Sequence, residues 1–360
     1  KYLSNDYEVI IICQEINEDL SSAFKAEGIK IIKLETPTFT DISFWVRFKS
    51  NVRENSNKLK KIIKGGDLVI SSMFPMHLYA QKAEIKFFQI IYEPFAMFHN
   101  KDYQNGQSFL IKLFCKLVSF LFRSFDRAAV LSASGIMTLS DYEKKNCQEV
   151  YGIESEVIYE GVDRSIFYPR DTSNLRNIYG KGRVLLHSTG FDSFKGTDFL
   201  IKCLPDLVKR IPDLKVLITH TRDDRAVINK YISFLESNNV NANVEFLGLV
   251  PYEKLSEYYS FADLYIEPGI GRSMSFSSKE ANACGTPSVR GSIATEDVID
   301  GINGILVSCH DTEKLAQAVS KLLDNKTLLE EMSKKSVEVV VEKYSWPSVV
   351  AKIDSCIVSS

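Results

Sequence analysis

The sequence predicts an α/β protein made of two successive, doubly wound units with parallel sheets. Two observations carry that prediction. Short apolar runs of strand character alternate with amphipathic helical stretches along the chain, the pattern of parallel strands covered by helices. A polar stretch, Arg170–Gly182, then interrupts the alternation, and the pattern restarts beyond it. With 360 residues the chain has room for two domains of ordinary size. A hydrophobic share of 45% and a charged share of 25% suit a globular protein. A net charge of −2 gives no ground for a nucleic-acid partner.

In the first half, Glu8–Cys13 and Ile29–Leu34 read as strands around an amphipathic helix from Asn17 to Glu27. Phe44–Lys64 reads as a basic helix stopped by Gly65-Gly66. Asp67–Ser72 and Phe87–Tyr92 are buried-strand patterns, which puts Tyr92 and Glu93 at a carboxyl end, where such sheets bind ligands. Ser108–Asp126 reads as a helix with a wide apolar arc, bearing Lys112, Lys116 and Arg123 at helical spacing. Two readings stand for it: a core helix with a narrow wet face, or a helix lying on an anionic membrane. Ala128–Ser132 and Gly135–Ser140 are expected to carry the next strand, and Glu156–Asp163 closes the half. His77 and His99 are isolated and read as structural or exposed.

The second half opens with Arg183–Gly190, a strand running into a glycine turn, and a helix starts near Asp198. Further strands are expected at Leu214–Thr219, Asn243–Gly248, Asp263–Ile266, Ser288–Arg290 and Gly304–Val307, with a final helix from about Lys314. Seven cysteines, an odd number without a Cys-x-x-Cys pair, read as free thiols in a reducing, cytoplasmic compartment. No apolar run is long enough to span a bilayer, and no metal-binding cluster is visible.

The most informative stretch is Gly269–Val289. A loop rich in Gly and Ser follows the strand Ala262–Pro268 and leads into a helical run, Ser277–Cys284. Such a loop lets backbone approach a ligand, and the helix start favours phosphate. Glu280 falls on that helix, and Lys195-Gly196 puts a cation beside another helix start.

Asp263-Leu-Tyr-Ile-Glu-Pro268, the loop, and Lys279-Glu-Ala-Asn-Ala-Cys-Gly-Thr-Pro287 together resemble the signature of retaining glycosyltransferases of family 4 (glycosyl transferases group 1). Gly161-Val-Asp163 with Phe167-Tyr-Pro169 resembles the family's linker entry. The resemblance implies a GT-B fold: Rossmann-like domains at 1–165 (acceptor-binding, lacking its first strand) and 166–343 (nucleotide-sugar-binding), facing each other across a cleft. Segment 344–360 would cross back to the first domain. It further implies transfer of a sugar from a UDP- or GDP-linked donor to a glycan or lipid-linked acceptor with retention, without a metal ion or cofactor. The site residues carried over are Lys195 and Glu280, with Gly190, Gly196, Gly248, Leu249, Gly271, Ser273, Met274 and Ser275 around the donor, and Tyr92 and Glu93 on the acceptor side. Peripheral contact with the inner membrane face through 108–126 fits a lipid-linked acceptor.

Tyr92 stands where many relatives have a His before the Glu-Pro pair, and two donor-side positions also depart from the family pattern. Gly190 stands where an Arg usually contacts the diphosphate, and Arg272 stands where a Glu usually contacts the sugar. Arg272 would restore the cation from the opposite loop, a contact contributing about 1.5–3 kcal/mol. The same departures leave open a binding or scaffold protein that kept the fold and lost the chemistry. A nucleotide-sugar epimerase is a further alternative; a Rossmann dehydrogenase is disfavoured, because no Gly-x-Gly-x-x-Gly follows an early strand.

Overall fold

The computed structural model describes residues 7–100, 108–191, 195–220, 224–270, 275–292, 296–308 and 311–358. The chain divides into two compact units, Lys1–Tyr159 with Val350–Ser360, and Glu160–Val349. Every strand pair in both is parallel, so each connection must cross over.

In the first unit β1 (Ile10–Cys13) pairs with β2 (Lys30–Lys33) across α1 (Glu18–Ala26), whose first turn is capped by Asn17 accepting from Leu20 N at 2.7 Å. A second sheet has the order β3 (Ile70–Ser71), β4 (Phe88–Ile91), β5 (Gly135–Thr138), β6 (Glu156–Val157). The helices are α2 (Ile42–Val46), α3 (Phe48–Ile62), α4 (Met76–Lys82), α5 (Ala96–His99), α6 (Phe109–Leu131) and α7 (Asp141–Tyr151). Aromatic rings dominate the core: Trp45 lies among Phe44, Phe48, Phe74 and Phe98, with Trp45 and Phe74 stacked at 5.7 Å. The basic helix expected over Phe44–Lys64 is two helices, broken at Arg47, so that Trp45 and Phe48 both face this core.

The largest difference from expectation lies at Ala128–Ser132, which is helical up to Leu131 and not strand. The reason is Asp126. Its carboxylate is buried and accepts hydrogen bonds from His77 Nε2 (2.9 Å), His99 Nε2 (3.2 Å) and Tyr151 Oη (2.8 Å). An acid that ordinarily marks a helix boundary is satisfied inside this one, and Ala129 and Val130 continue the buried face. Burial opposes ionisation of Asp126, but the bonds from His77, His99 and Tyr151 outweigh it and hold the carboxyl well below the usual range. The two histidines, isolated in sequence, are therefore structural.

The second unit has one six-stranded sheet in the order β12-β11-β10-β7-β8-β9. Its strands are β7 (Val184–His187), β8 (Lys215–Thr219), β9 (Val244–Gly248), β10 (Leu264–Glu267), β11 (Ser288–Gly291) and β12 (Gly304–Val307). Helices α8 (Ser173–Tyr179), α9 (Thr197–Arg210), α10 (Arg225–Ser237), α11 (Tyr252–Phe261) and α12 (Phe276–Ala283) alternate with the strands. The expected final helix is two, α13 (Thr312–Asp324) and α14 (Lys326–Lys343), and α15 (Trp346–Val358) follows them, its residues from Val350 on belonging to the first unit. β7 and β10 are buried along their whole length, the mark of central parallel strands covered on both faces. Gly161 lies flat on Trp346, where a Cβ would come within 2.4 Å of the indole, and Val162 N donates to Tyr344 O at 2.7 Å.

Candidate active site

The central strands β7 and β10 end side by side, and their carboxyl-end loops meet. Gly196, with φ of +82°, N-caps α9, and a Cβ there would sit 2.4 Å from Gly269 N. Only glycine lets the two loops touch backbone to backbone. His187, fully buried, ties them from below: Nδ1 donates to Ile266 O at 2.7 Å, and Nε2 lies 2.8 Å from Thr197 Oγ1. Burial pushes this imidazole below its ordinary value, against the pull of the Ile266 carbonyl. Thr197 Oγ1 in turn donates to Gly190 O at 2.7 Å. Gly196→Ala is expected to cost more than about 1 kcal/mol, from the left-handed backbone and the clash together; urea unfolding of the variant checks it, and an unchanged midpoint refutes it.

Beneath the loops lies a buried charge network. The β10–β11 register sets Glu267 opposite Arg290, and the guanidinium contacts the Glu267 carboxylate directly. Arg290 Nε also lies 3.2 Å from Asp297 Oδ2, while Lys195 Nζ lies 3.6 Å from Glu267 Oε1. Ser275 Oγ (2.7 Å) and Tyr265 Oη (2.8 Å) both donate to Glu267 Oε2. Burial opposes ionisation of Glu267, but Arg290 and Lys195, helped by the two hydroxyls, outweigh it and hold the carboxyl below its ordinary value. Ser275 also caps α12, accepting from Ser278 N at 3.2 Å. Lys195 thus reaches Glu267, and Glu267 reaches the cap of the helix that carries Glu280.

Glu280 is held from α11. Tyr252 and Tyr259, seven residues apart on one helix face, donate to its two oxygens at 3.3 and 3.1 Å. Tyr259 Oη is also 2.9 Å from Ser188 Oγ just past β7, and Ser277 Oγ donates to Ser188 O at 3.3 Å. Burial raises the Glu280 carboxyl above its ordinary value, against the pull of these tyrosines and Lys279. Its neighbour Lys279 is fully buried, donating to Glu160 O at 3.2 Å with Glu160 Oε2 at 3.5 Å. Burial lowers the Lys279 ammonium and raises the Glu160 carboxyl, and the charge of each pulls the other part of the way back.

The structure therefore brings together Gly190, Lys195, Gly196, Ser275 and Glu280. Gly248, with φ of +69°, ends β9, and its carbonyl accepts from His220 N at 3.0 Å; Leu249 beyond it is exposed. Phe191, next to Gly190, packs at a tilt against His220 with ring centroids 4.8 Å apart and so links this edge to the β7 loop. Gly271, Arg272, Ser273 and Met274 lie outside the described residues. Tyr92 and Glu93 follow β4 in the first unit, both exposed. Among the described residues no cluster of three metal-ligating side chains occurs. Glu267, Arg290, Asp297 and the tyrosines Tyr252 and Tyr259 were not expected here; a carboxylate ending a wholly apolar strand was the one available signal.

A comparison with known families decides what this part of the chain is: residues 182–325 match the family described as Glycosyl transferases group 1. These residues form a glycosyl transferases group 1 domain. The group 1 domain lies wholly within the second unit. D-inositol 3-phosphate glycosyltransferase of Corynebacterium diphtheriae is 28% identical over 210 residues, covering 55% of this chain and 49% of the relative. That of Acidothermus cellulolyticus is 28% identical over 209 residues, covering 54% and 47%. The chain thus spans about half the length of the curated relatives it matches. Among solved structures, Anabaena Alr3699/HepE in complex with UDP superposes with a TM-score of 0.78 at 14% identity, over 98% of this chain and all of that one. Sucrose-phosphate synthase from Thermosynechococcus elongatus gives 0.75 at 17% identity, over 99% and 90%. The α/β fold with parallel sheets is that of these GT-B structures.

Proposed function

We propose that the chain is a glycosyltransferase that takes a sugar from a UDP- or GDP-linked donor bound at the carboxyl end of β7 and β10. The observation that carries the reading is the contact of Gly196 with Gly269, which puts the Lys195 ammonium and the loop leading to α12 beside each other. Lys195 and the N-termini of α9 and α12 offer positive charge to a leaving diphosphate. Glu280, fixed by Tyr252 and Tyr259, presents an oriented carboxylate to ribose hydroxyls. The relatives' names and the UDP held by the Anabaena neighbour support this reading.

On this reading the acceptor is a hydroxyl of a glycan or a lipid-linked glycan, with Tyr92 and Glu93 on the acceptor side. The anomeric configuration is retained, and the leaving phosphate takes the acceptor proton. Catalysis is then mostly positioning and leaving-group stabilisation. No helix among the described residues is long and apolar enough to cross a membrane, and the contact with a membrane is peripheral, through α6.

Titrating the full chain with UDP- and GDP-sugars tests the reading. The right donor at a hundred times its Kd is expected to add roughly 2.7 kcal/mol of stability, and Glu280→Gln to lose most of that gain. Failure of every nucleotide sugar to raise the melting temperature, or to be hydrolysed slowly without acceptor, would overturn it.

A further inference from the structure

We propose that a cavity between α3, α4 and α6 binds the phosphate headgroup of an anionic phospholipid, while the exposed face of α6 lies on the bilayer; this rests on the peripheral membrane contact read above. The outer arc of α6 is unusual for a protein surface. Phe109 is 79%, Leu113 58%, Leu117 55% and Phe120 86% exposed, and Lys116 and Arg123 border them. From Phe109 to Phe125 the helix holds no acidic residue. Its one buried acid, Asp126, faces inward to His77, His99 and Tyr151. Contiguous large apolar side chains edged by cations are what an anionic lipid surface attracts and then buries.

The cavity adjoins that face. Phe109, Leu113, Leu117, Leu121 and Phe125 form one row at four-residue spacing, and its last member, Phe125, is also a wall of the cavity. The cavity holds about 480 Å³, with Phe48 and Leu78 as apolar lining and Lys49, Arg53 and Lys82 around it. No carboxylate lines it, and no salt bridge among the described residues engages any of the three cations. Three exposed cations over an apolar floor suit one anionic group carrying an apolar stem. The continuous row of α6 side chains leads from that floor to where acyl chains would lie. A soluble anion would leave the apolar walls without a partner.

Vesicle sedimentation with the full chain tests this, using phosphatidylcholine alone and phosphatidylcholine with phosphatidylglycerol. The parent chain is expected to bind the phosphatidylglycerol vesicles, more weakly as salt rises. Lys49→Gln, Arg53→Gln and Lys82→Gln together are expected to weaken that binding by about 100-fold, taking each basic side chain near an anionic surface at its usual strength. The weak binding to phosphatidylcholine alone should stay unchanged in this triple variant. Leu113→Gln with Phe120→Gln is expected to abolish binding to both vesicles. All five positions are exposed, and circular dichroism confirms folding. If the triple variant binds phosphatidylglycerol vesicles like the parent, the headgroup site is wrong while the membrane contact stands. If the parent binds no vesicle, both fail. Stabilisation by glycerol 3-phosphate equal to that by phosphatidylglycerol would assign the cavity to a free anion instead. Concentration-dependent dimerisation lost in Leu113→Gln with Phe120→Gln would assign the face to a second copy.

Discussion

Lys195→Ala is expected to lower the rate of sugar transfer roughly 10²–10³-fold, the usual cost of removing one charge-stabilising group from a developing anion. Stability should change little, because Glu267 keeps Arg290, Ser275 and Tyr265 after the ammonium is gone. The split between kcat and KM is informative. A lysine that meets charge growing on the leaving diphosphate lowers kcat, whereas one that only holds the ground-state donor raises KM. Steady-state kinetics with the donor found by titration gives both numbers. Transfer within threefold of the parent would show that Lys195 serves Glu267 alone and that the donor lies elsewhere.

Arg290→Met should unfold the second unit much more easily, by about 3–5 kcal/mol, because it strands two buried carboxylates. For a domain of this size that is a fall of roughly 6–20 °C in melting temperature. Glu267 and Asp297 are each almost fully buried and share this one guanidinium. Adding Glu267→Gln and Asp297→Asn is expected to recover most of the loss, since neutral partners need no counter-charge. The pH dependence gives a second check. In the parent chain the Glu267 carboxyl is depressed, so its contribution is fully present above the ordinary value of 4.5 and lost as pH falls through the lower folded value. Without Arg290 the largest charge that depresses Glu267 is gone, so the variant loses less stability than the parent as pH falls. A variant within 1 kcal/mol of the parent at neutral pH would mean that water, not Arg290, satisfies the carboxylates.

The α/β alternation was legible because parallel strands buried on both faces leave unmistakable apolar runs: β7 and β10 fall inside the stretches the sequence singled out. The helix expected at Ser277–Cys284 is observed at Phe276–Ala283 with Ser275 as its cap. Glycines 190 and 196 carried their meaning openly, since both take positive φ. What stayed hidden was whatever depends on register or on distant pairing. Glu267 and Arg290 face each other only because β10 and β11 align as they do. The buried Asp126 looked like a helix end until His77, His99 and Tyr151 were seen around it. Lys279 carried no signal of its partner, since Glu160, against which it is buried, lies far away along the chain.

The route of the chain between its units has a consequence for biosynthesis. The second unit is one uninterrupted segment, entered at Glu160 and left at Val349, with the entering and leaving strands clasped where Gly161 meets Trp346. The first unit is not contiguous, because it is finished by Val350–Ser360. During translation the segment made later can complete its own contacts before the earlier one can, the reverse of ordinary vectorial order. Expressed by itself, 160–349 should be a self-sufficient folding unit, while 1–159 alone would wait for a closing helix that never arrives.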